Sequence, residues 1–375
     1  MRNDRINIPE KVFIYPTMRC NLNCKMCYSG AYCDPNRAKL EDLTLETYKE
    51  IIKKLYNHGV RVFDISGGEP LLRSDLFEII KEIKSYDDTT IYLVTNGTLI
   101  SKCYDDLMVH IQLIDMIYIS IDSHIEKTHN LIRGSSNAFK NAIHGIKLLT
   151  KTSVDKLGIN TVIMTSNFSE IAGILNLALN LGLHNINLLR LLDVADKGRL
   201  LQENLDINTF KEIYININNW MKNKLEEGYT DQFYITLVLP GYVMNEVHQE
   251  RKDIIKNPYI HLESQFDPIN GCPAFGKSIV MTGNGTITGC TAMIEIQNAY
   301  VGKITDDYNN VRKNWHKMIA LLNERKKNLR QKEPCASCKY WRSCKGGCPA
   351  SAYKYYNTIM MSDPTCIVNQ SNRLQ

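Results

Sequence analysis

Between Lys11 and Leu192 short β-branched runs alternate with stretches whose apolar residues recur every three or four positions. Runs of the first kind predict strands and stretches of the second predict amphipathic helices, so their regular alternation predicts βα units on a parallel sheet. The predicted strands are Val12–Thr17, Val60–Ser66, Thr90–Thr95, Met116–Asp122, Leu157–Met164 and Asn185–Leu192. Between the first two, Leu45, Tyr48, Ile51, Ile52 and Leu55 lie on one helical stripe, with Thr44 placed to cap its start and Gly59 to stop it. Leu76–Ile83 and Phe139–Leu149 carry similar stripes. Six units fall short of the eight of a closed barrel. The expected α/β fold is a partial (β/α)6 TIM-like barrel, with a doubly wound sheet as the alternative.

Residues 201–270 are richer in Asn, Tyr and charge, hold one clear helix at Phe210–Leu225 around Trp220, and read as a bridge. Residues 271–375 collect Gly, Pro and Cys at short spacing and show only brief strand signals, Ser278–Thr282 and Thr286–Thr288. So little apolar content points to a segment that relies on metal for its fold. The expected domains are therefore 1–200, 201–270 and 271–375.

Composition narrows the class. The 375 residues are 44% hydrophobic, 23% charged and 9% aromatic, as in folded globular proteins. The balance of 45 Lys and Arg against 40 Asp and Glu makes no electrostatic case for nucleic acid or a membrane. No apolar run reaches the roughly 18–20 residues a bilayer requires, and Met1–Glu10 is polar, so a cytoplasmic protein is expected. In that compartment twelve cysteines read as ligands more readily than as disulfides. Three stand at Cys20, Cys24 and Cys27, and seven between Cys272 and Cys366; Cys33 and Cys103 match no motif and read as plain thiols.

The first three follow the first strand, in the loop at the C-terminal mouth of the sheet where α/β enzymes keep their sites. A closed zinc site needs four ligands, and this loop supplies three with no His nearby. Three thiolates on a four-iron cubane would leave one iron open. Gly67-Gly68-Glu69-Pro70 follows the second strand, Thr95-Asn96-Gly97 the third, Ser120-Ile121-Asp122 ends the fourth, and His129–Gly134 opens a helix. Taken singly, the glycine pair and Thr95–Gly97 are ordinary turns, and Asp122 is a helix cap. In order, at successive strand ends, they resemble the radical S-adenosylmethionine (SAM) enzymes. The resemblance implies that Gly67, Gly68, Glu69 and Pro70 hold the amino group of SAM, and that Thr95, Asn96, Ser120 and Asp122 approach its ribose and methionine. Asn160 and Arg190, on the fifth and sixth strands, would point to the mouth, where a guanidinium suits a carboxylate. Where the family usually has an aromatic residue before the third cysteine, this chain has Met26, whose thioether also packs against rings.

The later cysteines are spaced Cys272, Cys290, then Cys335-x2-Cys338-x5-Cys344-x3-Cys348-x17-Cys366. Two zinc knuckles would explain four of the seven. The full string resembles the SPASM extension of certain radical SAM enzymes, which binds two auxiliary 4Fe-4S clusters. By that resemblance Cys335, Cys338, Cys344 and Cys366 hold one cluster, and Cys272, Cys290 and Cys348 hold the other, whose fourth ligand is left open. Sulfatase-maturing relatives carry a further cysteine and an acidic residue after the position of Cys290; Thr291 stands there here, which argues against that activity.

The resemblance thus implies three 4Fe-4S clusters and SAM, cleaved to a 5′-deoxyadenosyl radical, with the auxiliary clusters accepting an electron from the substrate. Peptide or protein oxidation, such as a thioether or carbon–carbon crosslink, is the expected outcome. The alternatives are oxidation of a small molecule (a tetrapyrrole side chain or an aminoglycoside-like alcohol) and a non-enzymatic iron–sulfur carrier. Expected partners are the substrate, an electron donor such as flavodoxin or ferredoxin and, since about ten residues precede the first strand, a separate leader-peptide-binding protein. Nothing in the sequence selects a general base among Glu295, Asp363 and the tyrosines near the cysteines.

Overall fold

The computed structural model describes residues 9–28, 42–192, 194, 200–229, 233–240, 243, 260–264 and 272–366, without the side chains of 153, 154 and 260–264. Cys33 lies outside these residues. Six strands form where the sequence places them: β1 (Lys11–Ile14), β2 (Val62–Ile65), β3 (Thr90–Thr95), β4 (Met116–Ser120), β5 (Leu157–Ile163) and β6 (Asn185–Arg190). Between them run α1 (Leu45–Asn57), α2 (Leu76–Lys84), α3 (Tyr104–His110), α4 (Glu126–Arg133), α5 (Ala138–Ser153) and α6 (Ile171–Asn180). The Thr44 hydroxyl accepts from the Thr47 N–H and caps α1 as expected.

The parallel run does not end at the sixth strand. Beyond α7 (Ile207–Glu226), β7 (Tyr234–Leu239) pairs parallel with β6, and β8 (Ile260–Ser264) with β7. The stretch read as a bridge thus carries two more strands of the same sheet. At the opposite edge β9 (Ser278–Met281) pairs parallel with β1, Lys11 opposite Ser278. Then β10 (Thr286–Thr288) and β11 (Gly302–Lys303) follow antiparallel. The sheet order is β11-β10-β9-β1-β2-β3-β4-β5-β6-β7-β8, a mixed α/β fold with the parallel sheet of a partial radical-SAM-type barrel and a cysteine-rich C-terminal region.

The burial of alternate residues shows which way the strands face. In β3 and β6 every second side chain is buried, such as Ile91, Leu93, Ile186 and Leu188, while Tyr92 and Asn187 on the other face are half-exposed. These half-exposed residues make one connected floor. Lys11 Nζ lies 2.9 Å from Asp64 Oδ2 and over the Tyr92 ring, Tyr92 meets Tyr118 edge-on at 6.4 Å, and Asn187 donates to Asn160 Oδ1 at 2.9 Å.

The C-terminal region has more apolar packing than its composition suggests. Its main element is α8 (Tyr308–Arg330), which buries Trp315, Met318, Leu322 and Leu329 on one stripe. The Trp315 ring packs edge-on against Phe275 at 4.9 Å, and its N–H donates to the Phe275 carbonyl. Many cations along this helix hide the stripe in the sequence. Among the described residues no helix is long and apolar enough to cross a membrane.

Candidate active site

The Cys20–Cys27 loop leaves β1 at the C-terminal edge of the sheet, and three other loops grip it. The Gly68 N–H donates to the Thr17 carbonyl at 3.0 Å and the Glu69 N–H to the Arg19 carbonyl at 2.8 Å. A Cβ on Gly68 would stand 2.0 Å from the Arg19 oxygen, and one on Gly67, at φ +126°, would stand 2.6 Å from that of Thr17. Only glycines allow backbones this close. The Thr95–Thr98 turn reaches the loop through side chains: Asn96 Nδ2 donates to Asn21 Oδ1 at 2.9 Å and Asn21 Nδ2 to Thr98 Oγ1 at 2.8 Å. The end of α4 makes the third contact, with the Lys25 N–H donating to the Ile132 carbonyl at 2.9 Å and Gly134 pressed against Asn23.

Glu69 ties two of these turns together. Its fully buried carboxylate accepts from the Leu71 N–H at 3.1 Å, the Thr95 hydroxyl at 2.7 Å and the Asn96 N–H at 2.8 Å. Burial pushes its pKa up, and these donors oppose the shift. Most of its accepting capacity is therefore used within the protein. Pro70 is buried and opens the short turn that Glu69 caps.

Asp122 is fully buried behind the loop. Its Oδ1 accepts from the Val162 N–H at 2.9 Å, and its Oδ2 lies 2.5 Å from Arg133 Nε as an ion pair whose N–H is not aimed along the contact. Arg133 also reaches the Cys24 sulfur at 3.9 Å. Within His129–Gly134 nothing local in the sequence marks Arg133 out. Its partners lie 11 and 109 positions away in the chain, at separations that no local pattern reports.

Ser120 is buried at the end of β4, and Asn160 sits on the floor against Asn187. Arg190 shares the buried parity of Ile186 and Leu188, donates from Nε to the Leu191 carbonyl, and lines a small pocket with Phe210 and Thr365. Met26 packs with Ile132, Met164, Leu191 and Leu200.

The cysteines gather in three sets. Burial, and then the neighbouring Cys24, Glu69 and Cys27, pushes Cys20 up to about 12; Cys24 is raised by burial and by Cys27. Cys335, Cys338, Cys344 and Cys366 line one cavity. Within it Cys335 is pushed up to about 11 and Cys344 to about 12, by burial first and then by the charge of Cys366. Cys272 and Cys290 are raised by burial and by each other's neighbour Cys348, Cys272 to about 11. Buried thiols crowded this way resist ionisation until a cation joins them, which is the donor chemistry of iron–sulfur sites. Among the described residues no three His, Cys, Asp or Glu groups are gathered to hold a single metal ion.

Two further features frame these sets. Asp363 accepts from the Cys348 N–H at 2.8 Å and from the N–H and hydroxyl of Thr365, so it latches the segments of Cys348 and Cys366 rather than facing a cleft. Tyr28, beside Cys27, meets the Tyr15 hydroxyl at 3.0 Å, and both phenols lie within electrostatic reach of Cys290; burial pushes Tyr28 up to about 12.

The parallel barrel sheet carries three cysteines in its first loop, and residues 14–178 match the radical SAM superfamily. The chain is 25% identical over 359 residues to the AdoMet-dependent heme synthase of Oleidesulfovibrio alaskensis, covering 93% of this chain and 85% of that one. It is 29% identical over 248 residues to a probable GTP 3′,8-cyclase of Saccharolobus islandicus, covering 65% and 76%. Among solved structures it shares the fold of Streptococcus suis SuiB bound to the precursor peptide SuiA, with a TM-score of 0.72, 17% identity and coverage of 96% and 76%. It likewise shares that of anSMEcpe with bound AdoMet and the Cp18Cys peptide, with a TM-score of 0.67, 18% identity and coverage of 97% and 99%.

Proposed function

We propose that the chain binds SAM and three 4Fe-4S clusters and oxidises a peptide or protein substrate. The observation that carries this reading is the sorting of ten cysteines into three sets in space, with Cys348 joining Cys272 and Cys290 while its sequence neighbour Cys344 joins Cys335, Cys338 and Cys366. Cys20, Cys24 and Cys27 would hold the cluster that binds SAM, and the other two sets the auxiliary clusters. When bound, cluster and SAM together supply a 5′-deoxyadenosyl radical able to take hydrogen from an unactivated carbon.

The protein's own part is to position and to exclude. The Glu69 bonds to Leu71, Thr95 and Asn96 fix the turn beside the cysteine loop, so that the Gly67–Glu69 backbone is preorganised for a ligand. The apolar group around Met26 keeps water from one side. The floor of Tyr92, Tyr118, Asn160 and Asn187 supplies neutral hydrogen-bonding groups suited to amides, and its cation, Lys11, is engaged by Asp64. SuiB and anSMEcpe, each captured with a peptide, support the same substrate class.

The similarity to a heme synthase across 93% of the chain favours a second reading, oxidation of a tetrapyrrole or another small molecule. One experiment separates the two. The reconstituted, reduced protein is assayed for 5′-deoxyadenosine release with added extract of its source cells, untreated or protease-digested. Stimulation that digestion removes supports a peptide substrate; stimulation that survives it supports the small molecule.

A further inference from the structure

Charge is distributed unevenly along this chain. Residues 272–366 hold 14 Lys and Arg against 6 Asp and Glu, whereas all the other residues hold 31 against 34. Residues 312–345 alone carry eleven Lys and Arg against Glu324 and Glu333. A near-neutral total therefore conceals a strongly basic region.

That region surrounds an opening to a thiol. A cavity of about 320 Å³ lies between the Cys272–Lys277 turn and α8, lined by Cys272, Phe275, Lys277, Ile319, Leu322 and Lys326 among others. Its lining joins apolar side chains, Phe275, Ile319 and Leu322, to two cations, Lys277 and Lys326. Ile319, Leu322 and Lys326 recur at helical spacing on one stripe of α8, with Arg330 one turn further on. Arg330 donates to the Ala336 carbonyl at 2.7 Å and lies over the Trp341 ring, so the stripe runs from the cavity at Cys272 to the loop of Cys335. Lys277 and Lys327 flank it, exposed.

We propose that this basic stripe and the cavity at Cys272 form the docking surface for an acidic protein that carries single electrons. The proposal rests on the reading that Cys272, Cys290 and Cys348 hold an auxiliary cluster. Positive charge around a cavity that Cys272 itself lines steers an acidic carrier into an orientation productive for transfer. In turnover the carrier would be reduced by the one electron that the iron–sulfur group received from the substrate and the group reoxidised by one, with no bond made or broken on either side; a reduced carrier uses the same surface in the reverse direction. A nucleic acid would also favour the cations, but would have no use for a partly apolar cavity lined by a thiol.

The test uses fully reconstituted protein and a reduced bacterial flavodoxin as the probe. Cluster bleaching is followed by stopped flow against salt, for the parent and for a Lys277→Glu, Lys326→Glu, Lys327→Glu variant, with a Lys→Gln version of the same three as a milder control. The expected result is a parent rate that falls with salt and a low-salt rate reduced about tenfold in the Glu variant, less in the Gln variant, with bleaching by dithionite equal in all three. A flavodoxin rate unchanged in both variants overturns the surface. Tighter binding of duplex DNA than of flavodoxin overturns it in favour of nucleic acid. Iron is counted in the same samples: one cubane per chain overturns the cluster reading beneath the proposal, whereas three with unchanged flavodoxin kinetics overturn the docking surface alone.

Discussion

The guanidinium of Arg133 lies 3.9 Å from the sulfur of Cys24 and pairs on its other side with the buried carboxylate of Asp122. A cation so placed favours the thiolate form of Cys24, and Asp122 fixes the cation. Arg133→Leu should leave Asp122 as an uncompensated buried charge and destabilise the barrel by about 3–5 kcal/mol. Arg133→Lys should retain part of that stability. Denaturant midpoints measure both, and an Arg133→Leu midpoint equal to the parent's would show that the pair carries no net weight.

Gly68→Ala tests the grip on the cysteine loop. The new methyl would meet the Arg19 carbonyl carbon and oxygen, which are backbone atoms of the loop itself, so the loop must move. A displacement near 1 Å should lower SAM cleavage about a hundredfold. Iron content should stay close to the parent's, because the auxiliary thiols are untouched. Cleavage at the parental rate would mean that the loop tolerates the shift.

His129 gives a pH signature. Burial, reinforced by the nearby Arg133 cation, holds its pKa down at about 4, and its Nδ1 accepts from the Asp122 N–H as a neutral ring does. The unfolded chain takes up this proton near the ordinary value of about 6.5, the folded chain only near 4. Below pH 6.5 the unfolded state therefore binds more protons, and stability should fall with pH until about 4, by about 3 kcal/mol in all. His129→Gln keeps an acceptor and should flatten this dependence. Parallel melting curves for the two proteins between pH 7 and 5 would refute it.

Arg325 is 2% exposed and donates to the carbonyls of Gly346 at 2.7 Å, Gly347 at 3.3 Å, Ile359 at 2.5 Å and Met361 at 2.9 Å. It fastens α8 to the chain between Cys344 and Cys366. Arg325→Leu should strand these acceptors and cost on the order of 3–5 kcal/mol, exposing the last hundred residues to protease while the barrel stays resistant. Arg325→Lys should rescue little, because an ammonium lacks the planar fork. Limited proteolysis followed by mass spectrometry reads the outcome.

The six strands of the barrel were legible because each is a local run of β-branched residues bounded by turns, and the cysteines because their spacing is itself local. Tyr234–Leu239 also alternates as a strand does, but it lies among Asn-rich and charged residues that made the whole stretch look irregular. The stripe of α8 was diluted by seven Lys and Arg from Arg312 to Arg330. Illegible from the start were relations across the chain: Arg133 to Cys24, Glu69 to Asn96, and the neighbour that β1 takes on its far side.

That neighbour sets an order of events during synthesis. Strand β1, which begins the cysteine loop, has β2 on one side within the next fifty or so residues, but its other edge stays bare until Ser278–Met281 have left the ribosome. The Tyr15 N–H, one residue before the loop turns, then finds its acceptor in Met281. Pairing across so long a separation is slow to form. The nascent chain therefore finishes the frame of its first cysteine loop only after most of the polypeptide exists, so iron delivered too early meets an unfinished mouth.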